Sequence, residues 1–212
     1  MATKVKICGI TNLDDARIAV DLGAWAIGLI FVPESPRRCE LDAAEEIASE
    51  LRRETEITGV FANPTLDELA YVADRCSLAI LQLHGDEGPA FCREAARRTG
   101  CKVMKAARVK DAGSIRALHS FEVDYHLLDA YKADRLGGTG ETFQWGLVNE
   151  HDRHVPVVLS GGLTPDNVAD AIAVTHPFAV DTASGTESEP GRKDPAKLTA
   201  FFDAVASAKA VA

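Results

Sequence analysis

Eight short runs rich in Val, Ile, Leu, Ala and Phe recur along the chain, each followed by a loop and then by a helical pattern. They are Val5–Gly9, Trp25–Phe31, Glu56–Phe61, Leu78–Leu83, Lys102–Ala106, Asp124–Asp129, Val155–Leu159 and Phe178–Asp181. Strands that alternate with helices are brought back side by side through parallel crossovers, and eight such units close on themselves. The pattern therefore predicts an α/β chain folded as a (β/α)8 TIM barrel. At 212 residues the chain is at the short end for this fold, so residues 1–212 are expected to form one domain without large insertions.

The punctuation between runs supports crossovers rather than hairpins. Thr65 and Glu68 form an S/T-x-x-E capping box after Asn63-Pro64, and Leu66, Leu69, Ala70 and Ala73 then make one apolar face. Thr164 with Pro165, and Asp194 with Pro195, each read as an N-cap followed by proline in the first helical position. Gly23 and Gly100 stand where helices should stop before the next strand. The long irregular segments, Val32 to Glu40, Ala130 to Glu141 and Thr182 to Lys193, all follow strands and are candidate lids.

Composition narrows the partners. With 32 acidic and 23 basic residues the formal charge is −9, which opposes binding to nucleic acid or to an anionic membrane surface. An anionic small substrate then needs a locally positive pocket. The longest apolar stretch, Ala24 to Val32, is too short to span a bilayer, so no signal or anchor is expected. Five cysteines at irregular spacing, with no CxxC pair, fit a reducing cytoplasm.

The chemistry is expected where the strands end, because in this fold the C-terminal ends share the catalytic rim. Lys6 and Cys8 share one face of the first strand by two-residue alternation, and Gly9 behind them allows close approach of a ligand. A thiol there is either a small buried hydrophobe or an acid or base whose pKa is brought near neutrality. Asp129 closes an apolar strand, a costly place for a carboxylate unless it has a partner or a chemical role; the alternative is an N-cap. Ser160-Gly161-Gly162 and Ser184-Gly185 follow the seventh and eighth strands, where barrels of this fold often bind phosphate through backbone N–H groups. Arg37 lies on the second βα loop, where it could clamp a carboxylate. The segment Arg135 to Gly140 lacks the Gly-Lys-Ser/Thr end of a Walker A motif and reads as a cover. His151 and His154 sit in a charged stretch before a strand and read as a solvated loop rather than a metal site.

Taken in order, KICGIT, GLIFVPESPR, GVFAN, LQLHGDE, LLDA, GGTGETFQW, LSGGLTPDNV and VDTASGTESEPGRKD resemble the phosphoribosylanthranilate isomerase family of tryptophan biosynthesis over essentially the whole chain. The resemblance implies an Amadori rearrangement of a phosphorylated anthranilate substrate, with no cofactor and no metal, by a monomer or homodimer. It implies Asp129 as general acid and Cys8 as general base. Arg37 would bind the anthranilate carboxylate, and Gly161, Gly162, Ser184 and Gly185 the phosphate. Gln82, His84 and Asp181 would line the substrate. The chain departs from the family pattern at Thr182 and Ala183, which remove one hydroxyl from the phosphate turn, and at Gln144, where an aspartate is common. The competing readings are another sugar-phosphate aldose-ketose isomerase and a non-catalytic sugar-phosphate-binding barrel. A sugar isomerase of the histidine pathway normally uses two aspartates, against which Cys8 argues.

Overall fold

Alternation along a strand sends neighbouring side chains to opposite faces, and in a closed sheet the two faces become two separate cores. The computed structural model, which describes residues 2–130 and 145–208, has this arrangement. Eight parallel strands close in sequence order: β1 (Lys4–Cys8), β2 (Ala26–Ile30), β3 (Glu56–Phe61), β4 (Ile80–Leu83), β5 (Lys102–Val109), β6 (Tyr125–Ala130), β7 (Val157–Ser160) and β8 (Ala179–Thr182). The ring shuts where β1 pairs with β8, Lys6 standing opposite Asp181. Ile7, Ile27, Leu29, Ile57, Leu81 and Leu128 belong to the large outer core, together with buried helix residues such as Ile47, Leu69 and Phe201. Ile80, Met104, Ala106, Tyr125, Leu127, Val158 and Ala179 fill the barrel itself. Trp25 meets Tyr125 and Phe178 edge-on at centroid distances of 5.4 and 5.2 Å, and Lys4 Nζ lies 4.9 Å from the Phe178 centroid. This aromatic floor closes the N-terminal end, so the polar inward positions are left to the opposite rim.

The helices are α1 (Leu13–Asp21), α2 (Leu41–Leu51), α3 (Leu66–Arg75), α4 (Pro89–Thr99), α5 (Ala112–Arg116), α6 (Val168–Thr175) and α7 (Pro195–Ala208). The capping box forms as expected: the Glu68 N–H donates to Thr65 Oγ1 (3.2 Å), and the Thr65 N–H donates to Glu68 Oε2 (2.8 Å). Asp194 Oδ1 accepts from the N–H groups of Ala196 and Lys197, and Gly100 ends α4 at φ +71°. Three expectations need correction. Thr164 does not cap a helix; Asn167 does, and its side chain accepts from the Thr164 N–H and donates to the Gly162 carbonyl, folding the β7 loop into a turn before α6 begins. Among the described residues the sixth crossover holds a 3₁₀ segment, Trp145–Glu150, in place of an α-helix. The segment after β8 is not irregular, since it carries a 3₁₀ turn (Ser184–Thr186) and an antiparallel pair of β9 (Glu187–Glu189) and β10 (Arg192–Lys193). The expected cover around Arg135–Gly140 and the departure at Gln144 lie outside the described residues.

The reading of a solvated His151 is overturned as well. His154 is exposed, but His151 is 3% exposed, with Nε2 placed 2.8 Å from Nδ1 of His126, itself a buried residue on β6. Nδ1 of His151 accepts from the Arg153 N–H, so its ring proton sits on Nε2 and points at His126. Burial, reinforced by its imidazole neighbour, pushes His126 down to about 4, and burial depresses His151 too. A histidine depressed in the folded state contributes stability above its unfolded pKa and loses it as pH falls through the folded one. Stability to urea should therefore fall between about pH 6.5 and pH 4, by on the order of 3 kcal/mol for His126. His126→Leu should flatten that slope, and an unchanged slope would contradict the assignment.

Candidate active site

The upper half of the barrel interior is polar. Lys6, two residues below Cys8 on the same inward face of β1, is fully buried, and its Nζ donates to Asp181 Oδ1 at 2.7 Å. Ser160 Oγ, at the end of β7, donates to Asp181 Oδ2 at 2.9 Å. Each Asp181 oxygen thus holds one protein partner and keeps a second lone pair for a ligand hydroxyl. Burial alone would lower the Lys6 pKa, but Asp181 and the neighbouring Cys8 outweigh it, and the ammonium is retained more firmly than usual.

Cys8 is buried at the end of β1. Gly28 on β2 leaves the space into which its sulfur fits, since a Cβ there would stand 2.8 Å from Cys8 Sγ and 3.1 Å from Lys6 Nζ. Burial pushes the thiol pKa up, aided by Asp181 and only partly opposed by Lys6 and Lys193. In the free protein Cys8 is therefore a thiol at neutral pH, held within reach of two ammonium groups.

Across the mouth, Asp129 ends the inward series Tyr125, Leu127, Asp129 on β6. Its Oδ2 lies 3.4 Å from His84 Nε2, and His84 Nδ1 lies 3.3 Å from Gln82 Nε2. An amide nitrogen can only donate, so His84 Nδ1 accepts and Nε2 carries the proton aimed at Asp129. Gln82 is buried on β4, and its Oε1 has no partner among the described residues. The three residues named separately from sequence form one relay whose last member, Asp129, is partly open to the mouth.

Arg37 reaches the same rim, held by a carboxylate that the sequence reading missed. Its Nε donates to both Glu187 oxygens at 2.9 Å, and its Nη2 to Oε2 at 2.7 Å. Lys193 Nζ donates to the Cys8 carbonyl (2.7 Å), the Ala183 carbonyl (3.1 Å) and Glu187 Oε1 (3.2 Å). Burial would raise the Glu187 pKa, but Arg37 and Lys193 hold it below the usual carboxylate range. The clamp uses Nε and Nη2 of Arg37 and leaves Nη1 outside it. Gly9, with φ +76° and a Cβ site 2.9 Å from Arg37 Cδ, makes room for the arginine stem.

The two glycine turns meet. Gly161 and Gly162 adopt φ +99° and +67°, where their backbone turns without side-chain strain. A Cβ on Gly185 would fall 1.9 Å from the Leu163 carbonyl oxygen, so the β8 turn rests directly on the β7 turn. The Thr182 hydroxyl donates to that same carbonyl at 2.8 Å, so the departure at Thr182 ties the two turns together. Glu187 and Lys193 are the residues missed from sequence, and Lys6 was given no role there. Alternation with Cys8 flagged Lys6, whereas nothing local connects Glu187 or Lys193 to their partners. Among the described residues no group of three or more His, Cys, Asp or Glu could hold a metal ion, and no helix is long and apolar enough to cross a membrane.

The model of the N-(5′-phosphoribosyl)anthranilate isomerase family matches residues 5–204. The chain is 47% identical over 210 residues to the N-(5′-phosphoribosyl)anthranilate isomerase of Citrifermentans bemidjiense, covering 99% of this chain and 98% of that one. Among solved structures it is similar to the phosphoribosylanthranilate isomerase of Thermotoga maritima, with a TM-score of 0.88, 41% identity and coverage of 97% and 99%. A phosphoribosylanthranilate isomerase in complex with reduced 1-(o-carboxyphenylamino)-1-deoxyribulose 5-phosphate matches at a TM-score of 0.84 and 38% identity, with the same coverage. Monomers generated from the dimeric Thermotoga maritima enzyme match at 0.84 and 37%, again over 97% and 99% of the two chains.

Proposed function

The chain belongs to the N-(5′-phosphoribosyl)anthranilate isomerase family, and from that premise we propose how its rim performs the Amadori rearrangement to 1-(2-carboxyphenylamino)-1-deoxyribulose 5-phosphate in tryptophan biosynthesis. The observation that carries the reading is the pair of proton handlers, Cys8 on β1 and Asp129 on β6, both on the inward face at the same rim. Asp129 donates a proton to the ribose ring oxygen, the bond from that oxygen to C1′ breaks, and the anthranilate nitrogen lone pair forms the Schiff base. The Cys8 thiolate then removes the C2′ proton, and the electron pair moves to give the enolamine. Loss of the C2′ hydroxyl proton and protonation at C1′ complete the aminoketone. The substrate is held at both ends while its middle reacts, which places C2′ near one group and the ring oxygen near the other. The paired turns around Gly161, Gly162, Ser184 and Gly185 receive the phosphate through backbone N–H groups. Gln82 and His84 orient Asp129, and Asp181 offers its remaining lone pairs to a ribose hydroxyl.

Arg37, pre-oriented by Glu187, takes the anthranilate carboxylate. Arg37→Met should raise KM about 10- to 100-fold, the value of a charge-assisted hydrogen bond, with a smaller change in kcat. A reduced product analogue lacking the carboxylate should bind this variant and the native protein alike; retained discrimination would remove Arg37 from the role. The reaction is tested by fluorescence-monitored turnover of freshly generated N-(5′-phosphoribosyl)anthranilate with no metal or cofactor added. Loss of substrate signal far above spontaneous hydrolysis, with formation of the ketose, supports the reading. No turnover by folded protein would favour a related sugar-phosphate isomerase or a binding barrel. We also place the enzyme in the cytoplasm, as a monomer or homodimer.

A further inference from the structure

A lysine inside a β-barrel is an expensive feature, because the desolvation of a buried ion pair commonly cancels its attraction and apolar residues of similar volume serve stability as well. Lys6 is fully buried, its charge matched by Asp181 at 2.7 Å, and Asp181 is fixed in turn by Ser160. Packing does not call for a cation there, since other interior positions of the barrel are filled by Met104, Leu127 and Val158. Its placement suits chemistry better. Lys6 Nζ and Cys8 Sγ converge on the gap left by Gly28, with a Cβ site there 3.1 Å from one and 2.8 Å from the other. We propose that Lys6, anchored by Asp181 and Ser160, is a positioning residue of the isomerisation: its ammonium fixes the sulfur of Cys8 and stabilises the thiolate that takes the C2′ proton.

The charged groups around Cys8 make the assignment specific. Lys6 lies below it on β1, Asp181 on β8, Lys193 on β10 with its ammonium on the Cys8 carbonyl, and Arg37 on the loop after β2 paired with Glu187 on β9; Gly28 on β2 brings none. Lys193 is shared among two carbonyls and Glu187, and burial lowers its pKa, so its charge is already committed. Arg37 is likewise committed to Glu187. Lys6 is matched by one carboxylate and has the thiol beside it. It keeps its proton throughout. The proton that makes Cys8 a thiolate leaves to solvent, and the C2′ proton later comes to sulfur.

The inference rests on Cys8 being the base, and the experiment separates the two. Alkylation of Cys8 by iodoacetamide, followed by peptide mass spectrometry across pH in the free protein, reads the thiolate without turnover; the pH profile of kcat/KM reads it during turnover. In Lys6→Met both midpoints should move up by about one pH unit or more, with about tenfold less activity at neutral pH for each unit. In Asp181→Asn, which removes the anion and keeps the cation, the alkylation midpoint should move down. A folded Lys6→Met protein with both profiles unchanged overturns the proposal. Should Lys6→Met fail to fold, Lys6→Gln, which removes the charge and keeps a polar end for Asp181, is read in the same way, and unchanged profiles in it overturn the proposal. Full turnover in Cys8→Ser would instead remove the reading beneath.

Discussion

Cys8→Ser and Asp129→Asn are each expected to lower kcat by about 10²- to 10⁴-fold, the usual worth of one positioned acid or base, while leaving the fold and the affinity for a reduced product analogue nearly intact. Serine keeps the shape of the Cys8 side chain but loses a group that ionises in the accessible range. Asparagine keeps the size of Asp129 and its contact with His84 but has no transferable proton. With the two in the successive steps proposed above, the double variant should be far less than multiplicatively impaired. In the native protein kcat/KM should still be rising at about pH 8, since burial holds the Cys8 thiol above its ordinary range. Undiminished turnover in either single variant would refute that residue's role.

A second large effect is expected at a residue that carries no chemistry. Gly185→Ala would place a methyl group 1.9 Å from the Leu163 carbonyl oxygen, closer than any packed contact, so the β7 and β8 turns must part. Displacement of a binding element by about 1 Å can cost on the order of 10²-fold, and here the loss should appear in KM and in inorganic phosphate affinity. Thr182→Val separates clash from attachment: it removes the hydroxyl that donates to the same carbonyl, at a cost of about 1 kcal/mol, without adding bulk. Its effect on KM should be several-fold at most. An alanine variant with native phosphate affinity would show that the turns do not cradle the phosphate.

The sequence was most readable where the physics is local. Period-two alternation put Lys6 and Cys8 on one face of the first strand, the end of an apolar run singled out Asp129, and the Thr65 box, Asp194 and Gly100 marked helix ends where expected, because each signal spans only a few residues. The interior pairs were opaque. Glu187 is an unremarked acid in a loop, yet it holds Arg37 from 150 positions away, and Lys193 reaches the Cys8 carbonyl over a separation of 185. His151 looked solvated because its neighbours are charged; its partner, His126, comes from β6. At Thr164 the cap-and-proline pattern was genuine, but Asn167 offered a better turn and the helix started later.

The ring closes last in sequence. Lys6–Asp181, Arg37–Glu187 and the Lys193 contact with Cys8 all tie the first quarter of the chain to its end. During synthesis, therefore, Lys6 and Cys8 leave the ribosome long before Asp181, Glu187 and Lys193. Until β8 arrives Cys8 is an ordinary thiol, with neither Asp181 nor Lys193 beside it. A chain stalled or clipped before residue 181 keeps the cysteine and Asp129 but has no assembled site. Activity thus reports completion of the whole barrel, and a fragment of this protein cannot act as a slow version of it.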